Sequence, residues 1–230
     1  NYNHAFQAPL IDRFFIYDFT NGQKFNGFVK PSKSRTFNVG LNHLTDNSKT
    51  KVTLYRSNVK DEMFLCKSNA ASDCGAFGNN LNLDKSHKQG IELQNKYIIS
   101  PKWSTDVNYA YTIAKIDEDD KGSGALNGKT NPMTSKHNIS ASVLYSINDK
   151  ANMTLTQKYR SRAFAEEDYA NAFTKKQEVY NSTNFNFSYN ANDDLSLTFD
   201  VENLFKNSYG TRLRDDVIYP GNSTRNIKAG

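Results

Sequence analysis

The fold of this protein is decided by a stretch in the second half of the chain, NISASVLYSI (138–147). Its apolar side chains recur at every second position: Ile139, Ala141, Val143, Tyr145 and Ile147. Asparagine and serine fill the positions between them, with Leu144 as the exception. Because successive side chains of a strand point to opposite faces, this alternation predicts a β-strand with one apolar and one polar face.

The same alternation recurs along the chain, for example in 103–113, 182–191 and 195–202. Together with the strand-forming residue types and the turn residues, this alternation predicts a series of strands. Some of them are joined by short connections and others by long ones. The predicted strands lie near residues 2–8, 34–44, 49–64, 82–98, 102–117, 135–147, 151–164, 178–191, 195–205 and 224–230.

Short and long connections alternate regularly. Tight turns rich in Asn, Asp, Ser and Pro are predicted at 45–48, 100–101, 148–150 and 192–194. Long loops are predicted at 9–33, 65–81, 118–134, 165–177 and 206–223. In an antiparallel up-and-down meander this alternation places all long loops at one end, as in outer-membrane barrels, which have short periplasmic turns and long extracellular loops.

Composition excludes a helical membrane protein and leaves two all-β classes open. The mean hydropathy is −0.74, and no run approaches the roughly 18 apolar residues of a membrane helix. A soluble β-sandwich would also alternate, but its strands are shorter and its connections do not segregate by length. Charged residues such as Asp106 and Asp200 fall on the polar faces. We therefore predict an antiparallel transmembrane β-barrel whose apolar face meets lipid.

Aromatic residues support this orientation. They make up 13% of the chain, and several lie beside the predicted short turns: Tyr97, Trp103, Tyr145 and Tyr189. Aromatic girdles mark the two interfaces of a transmembrane barrel, although aromatic residues are also ordinary strand formers in a protein core.

The sequence predicts no enzyme, and so no catalytic residue, cofactor or metal site. Its histidines, 4 in number, are dispersed over different predicted strands, and no nucleophile with a nearby base or phosphate-binding loop is found. Acidic clusters at 118–120 and 166–168 fall in long loops, where we expect solvated surface. The net charge of +5 is scattered, so no nucleic-acid partner is expected.

The chain has 2 cysteines, Cys66 and Cys74, within one predicted long loop. Outside the reducing cytosol, cysteines this close favour a local disulfide that stiffens the loop. Two unpaired thiols are the alternative, and a structural zinc site is weaker because no second Cys or His cluster accompanies the pair.

Several motifs resemble those of the TonB-dependent outer-membrane receptors. FQAP (6–9) resembles the family's F-R-A-P segment, and KPSKS (30–34) followed by FNVGL (37–41) is similar to the stretch that comes after it. NLDKS leading to QGIEL (82–93) and VENLFKNSY (201–209) resemble two further strand signatures. Each motif is weak alone, but together, in order and at fitting spacings, they span nearly the whole chain.

The resemblance implies a barrel of about 22 strands, filled by an N-terminal plug and energised by the TonB–ExbB–ExbD complex through that plug. The chain has no plug motif and about ten predicted strands, so residues 1–230 are expected to be the C-terminal portion of such a barrel in the bacterial outer membrane, in contact with lipid and lipopolysaccharide. The implied function is energised uptake of a scarce nutrient, chiefly a ferric siderophore, with haem, cobalamin or another metal chelate as alternatives.

Candidate ligand-binding residues follow from the chemistry of an anionic, partly aromatic chelate, which suits cations and aromatic rings. We expect them in the first long loop, on one strand face and in the last loop: Arg13, Phe14, Phe15, Tyr17, Lys158, Arg160, Arg162, Arg212 and Arg214. Two other classes stay open at this point. One is a passive porin or small structural barrel, and the other is a secreted carbohydrate-binding sandwich.

Overall fold

The computed structural model describes residues 1–18, 22–25, 27–66, 79–119, 123–214, 217–220 and 225–229. A single turn of 3₁₀ helix, Ile11–Phe14, follows the first strand. In chain order the strands are β1 (Tyr2–Gln7), β2 (Phe15–Asp18), β3 (Gly22–Phe25), β4 (Ser32–Leu44), β5 (Ser48–Cys66), β6 (Asn79–Ser100), β7 (Trp103–Glu118), β8 (His137–Asn148), β9 (Ala151–Arg160), β10 (Ala163–Phe164), β11 (Lys176–Gln177), β12 (Tyr180–Asn190), β13 (Ser196–Glu202), β14 (Gly210–Arg214), β15 (Val217–Pro220) and β16 (Asn226–Ala229).

The long strands form one antiparallel up-and-down sheet. Its 10 strands are ordered β1-β4-β5-β6-β7-β8-β9-β12-β13-β16, so neighbours in the sheet follow one another along the chain. The remaining strands pair into two-stranded ribbons inside the long connections: β2 with β3, β10 with β11, and β14 with β15. The meander predicted from the alternation is confirmed, whereas the ribbons are new. In the part of the chain that the structure describes, no helix has the length and apolarity to cross a bilayer.

The register gives every strand two chemically different faces. One row of directly opposed residues crosses six strands of the sheet and is apolar or aromatic: Leu41, Val52, Leu93, Tyr109, Ile139 and Tyr159. The row beside it, on the other face, is polar: Asn42, Lys51, Gln94, Asn108, Ser140 and Lys158. We call these the apolar face and the polar face.

The apolar face is not covered by any other described part of the chain. Phe37, Val39 and Leu54 are 58%, 53% and 56% exposed, although a soluble protein rarely exposes a continuous apolar surface of this extent. The side chains of Ile139 and Val143 are also exposed. The residues that would form the interior of a sandwich therefore face outward, as the lipid-facing side of a barrel requires.

The polar face is stabilised by hydrogen bonds between strands. The hydroxyls of Ser142 and Thr156 lie 2.9 Å apart, and the amide of Asn186 donates to Asp200 at 2.7 Å. The side chain of Tyr55 on β5 extends across β6, which places its hydroxyl 2.9 Å from that of Thr112 on β7. The strands are thus tied side chain to side chain as well as through the backbone ladder.

Gly90 makes the position of Tyr55 possible. A Cβ atom at residue 90 would lie 2.9 Å from the Tyr55 hydroxyl oxygen and 2.0 Å from the carbonyl oxygen of Tyr111. Glycine is therefore required where the aromatic ring and a neighbouring backbone approach this closely.

The aromatic residues beside the short turns occupy the predicted positions. Trp103 stands directly opposite Tyr145, and their ring centroids are 4.4 Å apart. Tyr97 and Tyr189 lie on the same face, Tyr97 opposite Thr105 and Tyr189 opposite Leu197. An apolar face bordered by aromatic rings at its short-turn end agrees with a membrane interface there.

Two strands end earlier than the alternation predicts. β9 ends at Arg160 and β13 at Glu202. After β13, Asn203 adopts φ 53°, its amide nitrogen donates to the carbonyl of Asn207 at 2.9 Å, and its Oδ1 accepts from the Asn207 N–H at 3.0 Å. Asparagine tolerates this left-handed conformation, so the side chain replaces the lost ladder bonds and turns the chain out of the sheet.

At the long-loop end of the sheet, the side chains of Ser32 and Asn82, from the KPSKS and NLDKS motifs, form hydrogen bonds to neighbouring segments. Asn82 accepts from the Lys30 N–H at 2.8 Å and donates to the carbonyls of Lys30 and Asp61 at 2.9 and 2.8 Å. The Ser32 hydroxyl also donates to the Asp61 carbonyl, at 2.8 Å. Asp61 has φ 55° and leaves the ladder. These side chains satisfy the backbone groups that the irregularity exposes.

A small hydrophobic core closes this end: Phe64, Leu83, Ile116 and Leu126 are all buried. The ring of Tyr169 packs on Phe64 with centroids 4.7 Å apart, and burial raises the pKa of the Tyr169 hydroxyl. The long connections around 126 and 169 are therefore packed onto the sheet.

The assignment of the two faces is tested by adjacent substitutions on β5. We expect Leu54→Lys to destabilise the folded protein by about 2–4 kcal/mol, the cost of a lysine near the bilayer midplane. Thr53→Lys places the same charge on the polar face, opposite Glu92, and should change stability little. Urea unfolding of protein refolded into phospholipid vesicles measures both. Equal destabilisation by the two variants would contradict the lipid-facing assignment.

Candidate ligand-binding face

Two predicted cations lie together on the polar face of β9. Lys158 stands opposite Ser140 and Arg160 opposite Asn138, and two residues along one strand place both side chains on one face. The Arg160 guanidinium carbon lies 5.6 Å above the centre of the Tyr180 ring. Within the described part of the chain, neither cation has an acidic side chain within salt-bridge distance.

These residues line a cavity of about 460 Å³ on the polar face, which we call the polar-face pocket. Its walls come from β6 to β9 and the start of β12, and their polar-face side chains are mainly amides, a hydroxyl and one carboxylate: Glu92, Gln94, Asn108, Asn138 and Ser140. The neighbouring strands are spaced by about 4.8 Å, so Glu92 on β6 and Arg160 on β9 bracket a site about 14 Å wide.

Tyr209 packs against Tyr180, one of the residues that line the polar-face pocket. Its ring is packed against that of Tyr180 with centroids 4.4 Å apart, and burial, with a hydrogen bond to Tyr180, raises its pKa. Tyr209 closes the VENLFKNSY segment. The turn at Asn203 therefore places the ring of Tyr209 against the ring of Tyr180, which Arg160 contacts.

Predicted residues of the first long loop form a separate group. The Arg13 Nη1 donates to the Asn80 Oδ1 at 3.3 Å, which attaches the 3₁₀ turn to β6. Phe14 contacts Phe28 edge to face at 5.5 Å between centroids, and Phe15 contacts Phe25 at 5.9 Å. Phe25 and Phe28 are the aromatic residues of this group that sequence reasoning missed.

The structure places the other candidates apart from the polar-face pocket. Arg162 is exposed just after β9. Tyr17 pairs with Gln23 through the backbone of the β2–β3 ribbon, and Arg214 pairs with Val217 in the β14–β15 ribbon. The side chains of Tyr17 and Arg214 lie outside the described residues.

Arg212 is held by an ion pair. Its Nε and Nη2 donate to the two carboxylate oxygens of Glu166, and these hydrogen bonds raise the pKa of the guanidinium. The guanidinium carbon also lies 5.9 Å from the Tyr219 ring centre. Arg212 therefore links the β14–β15 ribbon to the connection after β9, where the Glu166 N–H donates to the Leu213 carbonyl at 3.0 Å.

The acidic clusters are not the solvated surface expected from the sequence. Glu167 and Asp168 are 4% and 1% exposed, and Asp119 is 2% exposed. The Asp168 carboxylate accepts from the backbone N–H groups of Ala172 at 2.7 Å and Phe173 at 3.2 Å. A carboxylate followed by small and polar residues is a signal for such a turn, but the sequence does not show that the turn is covered by protein.

The expected disulfide lies outside the described residues. The backbone of Cys66 ends β5 opposite Asn79, whereas residue 74 and the Cys66 side chain are not described.

A family model described as TonB dependent receptor-like, beta-barrel, matches residues 1–204. No curated protein matches the chain.

Solved structures share the fold at low identity. The ferric-catecholate import receptor Fiu from E. coli K12, in its closed form, is 20% identical with a TM-score of 0.69, over 98% of this chain and 31% of that chain. The ferric yersiniabactin uptake receptor FyuA from Yersinia pestis is 16% identical with a TM-score of 0.72, over 98% and 33%. The copper transporter OprC is 17% identical with a TM-score of 0.72, over 96% and 34%. The chain thus spans about a third of the length of these proteins.

Removal of the Asp168 carboxylate is expected to loosen the connection between β9 and β12. Asp168→Ala leaves two part-buried backbone N–H groups without their acceptor, which costs at most about 1–3 kcal/mol for each group. We expect faster cleavage of this connection by a protease added to the protein in detergent. Glu178→Ala, at an exposed position of the same connection, is the control and should leave the cleavage rate unchanged. Equal rates for Asp168→Ala and the unaltered protein would show that the carboxylate does not order the turn.

Proposed function

Because this chain belongs to the TonB-dependent receptor β-barrel family, we propose that it is the C-terminal portion of a receptor for energised uptake of a ferric siderophore. The barrels of this family lie in the outer membrane of Gram-negative bacteria and serve as transport receptors. The proposal assigns the long-loop end to the cell exterior and the polar-face pocket to the route of the ligand.

The observation that carries the proposal is a pair of cations, Lys158 and Arg160, which lie beside the Tyr180 ring and have no acidic partner among the described residues. A ferric chelate of catecholate or carboxylate groups carries negative charge and exposes planar groups. Charge-assisted hydrogen bonds from lysine and arginine, with an aromatic ring alongside, match that chemistry. Arg13, Phe14 and Phe15 would supply an outer contact of the same kind nearer the loops.

The placement of the histidines favours recognition of the chelate over direct ligation of the metal. The 4 histidines of the chain all lie on the apolar-face register, opposite Arg35, Thr50, Asn58 and Tyr111. A histidine of this chain therefore cannot reach haem iron or copper from the polar-face pocket. Haem and copper complexes that need a histidine ligand therefore become the less favoured ligands.

Binding and uptake of radiolabelled ferric siderophore test the role of Lys158 and Arg160 in the polar-face pocket. We expect the double variant Lys158→Ala/Arg160→Ala to weaken binding of the cognate ferric siderophore by about a hundredfold or more, since each charge-assisted hydrogen bond contributes about 1.5–3 kcal/mol. A panel of ferric catecholate, hydroxamate and citrate complexes, with a copper complex and haemin added, identifies the ligand. Lys96→Gln is the matched control, because Lys96 lies on the same face but is paired with Asp106 at 3.5 Å. Unchanged uptake in the double variant would reject these residues as the site.

Dependence on the energising complex distinguishes the receptor from a passive barrel. We propose the TonB–ExbB–ExbD complex as partner, through a plug that is part of the complete receptor. Iron uptake through the complete receptor should fall to background in cells that lack TonB, with the receptor still present in the membrane. Uptake that persists without TonB, together with steady conductance in planar bilayers, would indicate a passive porin.

A further inference from the structure

A second cavity, of about 250 Å³, lies on the polar face near the long-loop end of the sheet. We call it the loop-side pocket. Its floor is formed by β5 to β7, where Ser57 stands opposite Lys88 and Val59 opposite Ser86. Residues of two long connections cover this floor: Asn131, Pro132, Thr134 and Tyr169. The described residues that line it are all different from those that line the polar-face pocket.

Glu62 reaches this pocket because β5 is irregular at the preceding residue. On a regular strand, residue 62 would share the apolar-face register with Lys60. Asp61 adopts φ 55°, and beyond it the Glu62 Oε2 accepts a hydrogen bond from the Ser86 hydroxyl on the polar face. The same oxygen accepts from the side-chain amide of Asn131 at 3.2 Å. The irregularity thus transfers a carboxylate from the lipid side of the sheet to the polar face.

The acceptors of the loop-side pocket call for a donor that carries positive charge. Among the described residues, the Asn131 Oδ1 is buried without a hydrogen-bond partner, and no cation is within salt-bridge distance of Glu62. Burial and the charge of Glu62 raise the pKa of the Tyr169 hydroxyl, so this neighbour stays neutral. Buried polar atoms in proteins are almost always hydrogen-bonded. A primary ammonium group, with three N–H donors and one positive charge, satisfies both oxygens.

A charge of the opposite sign and an apolar surface complete the pocket. Lys88 lies two residues from Ser86 on β6, about 7 Å along the strand. In the described ranges, no acidic side chain is within salt-bridge distance of Lys88. Apolar side chains and one aromatic ring form the rest of the lining: Val59, Ala114, Pro132 and Tyr169. A molecule that matches this lining carries an ammonium group, a carboxylate and a small apolar group.

We propose that the loop-side pocket binds an α-amino acid with an apolar side chain, in its zwitterionic form. The ammonium group of the ligand donates to the Glu62 carboxylate and to the Asn131 Oδ1. The carboxylate of the ligand accepts from Lys88, and its side chain lies against the apolar lining. A cavity of about 250 Å³ limits the ligand to a small molecule. The site stands on its own lining residues and does not depend on the proposed uptake of iron.

Equilibrium dialysis of radiolabelled leucine against the complete receptor in detergent tests the proposal. Two competitors each lack one charge: isopentylamine has no carboxylate, and isocaproate has no ammonium group. We expect leucine to bind at least about tenfold more tightly than either competitor. Glu62→Gln should remove the preference for leucine over isocaproate, and Lys88→Met the preference over isopentylamine. Lys51→Met, on the polar face of β5 but outside the loop-side pocket, is the control and should retain both preferences.

Leucine that binds no more tightly than the two competitors would overturn the proposal without any variant, so a variant that fails to fold does not protect it. Both preferences retained in Glu62→Gln and Lys88→Met would overturn it as well. The two variants should bind the ferric siderophore normally, whereas Lys158→Ala/Arg160→Ala should bind leucine normally. Failure of this site can therefore be told apart from failure of the polar-face pocket.

Discussion

The whole structure depends on the register of the antiparallel ladder. In a bilayer every backbone N–H and C=O must be paired within the protein, and the long strands of this sheet pair neighbour to neighbour from β1 to β16. Side chains alternate with period two, so a slip of one residue would exchange the faces. Rows such as Leu41–Val52–Leu93 and Asn42–Lys51–Gln94 then specify lipid on one side and a polar interior on the other.

The same register separates three kinds of cation. Lys158 and Arg160 face the polar-face pocket, and Arg212 is occupied by Glu166. A third group lies on the apolar-face register of β4 and β5: Lys33, Arg35, Arg56 and Lys60. Residue type alone does not distinguish these roles. What differs is the face of the sheet, the position along the strand and the presence of a carboxylate within reach, and these determine whether the charge is held in an ion pair or left available.

The long connections are part of the folded structure where they are described. Their backbone polar groups find partners in side chains, as the turns around Asp168 and Asn203 show, and their apolar residues close a core over the sheet around Phe64 and Leu126. The Tyr180 wall of the polar-face pocket depends on such a turn, because Tyr209 packs against Tyr180 after the chain turns at Asn203. A loop residue can thus shape the polar-face pocket without lining it.

The sequence alone determined the class of fold, the order of the strands and the two faces, because period-two alternation and turn residues are local signals. It also placed Lys158 and Arg160 on one strand face. Only the tertiary structure decided that Asp168 and Glu167 are buried, that Arg212 is paired, and that Lys33 stands beside Lys60. Those facts depend on contacts between residues distant in the chain, and pairing across strands and coverage by loops leave no periodic trace in the sequence.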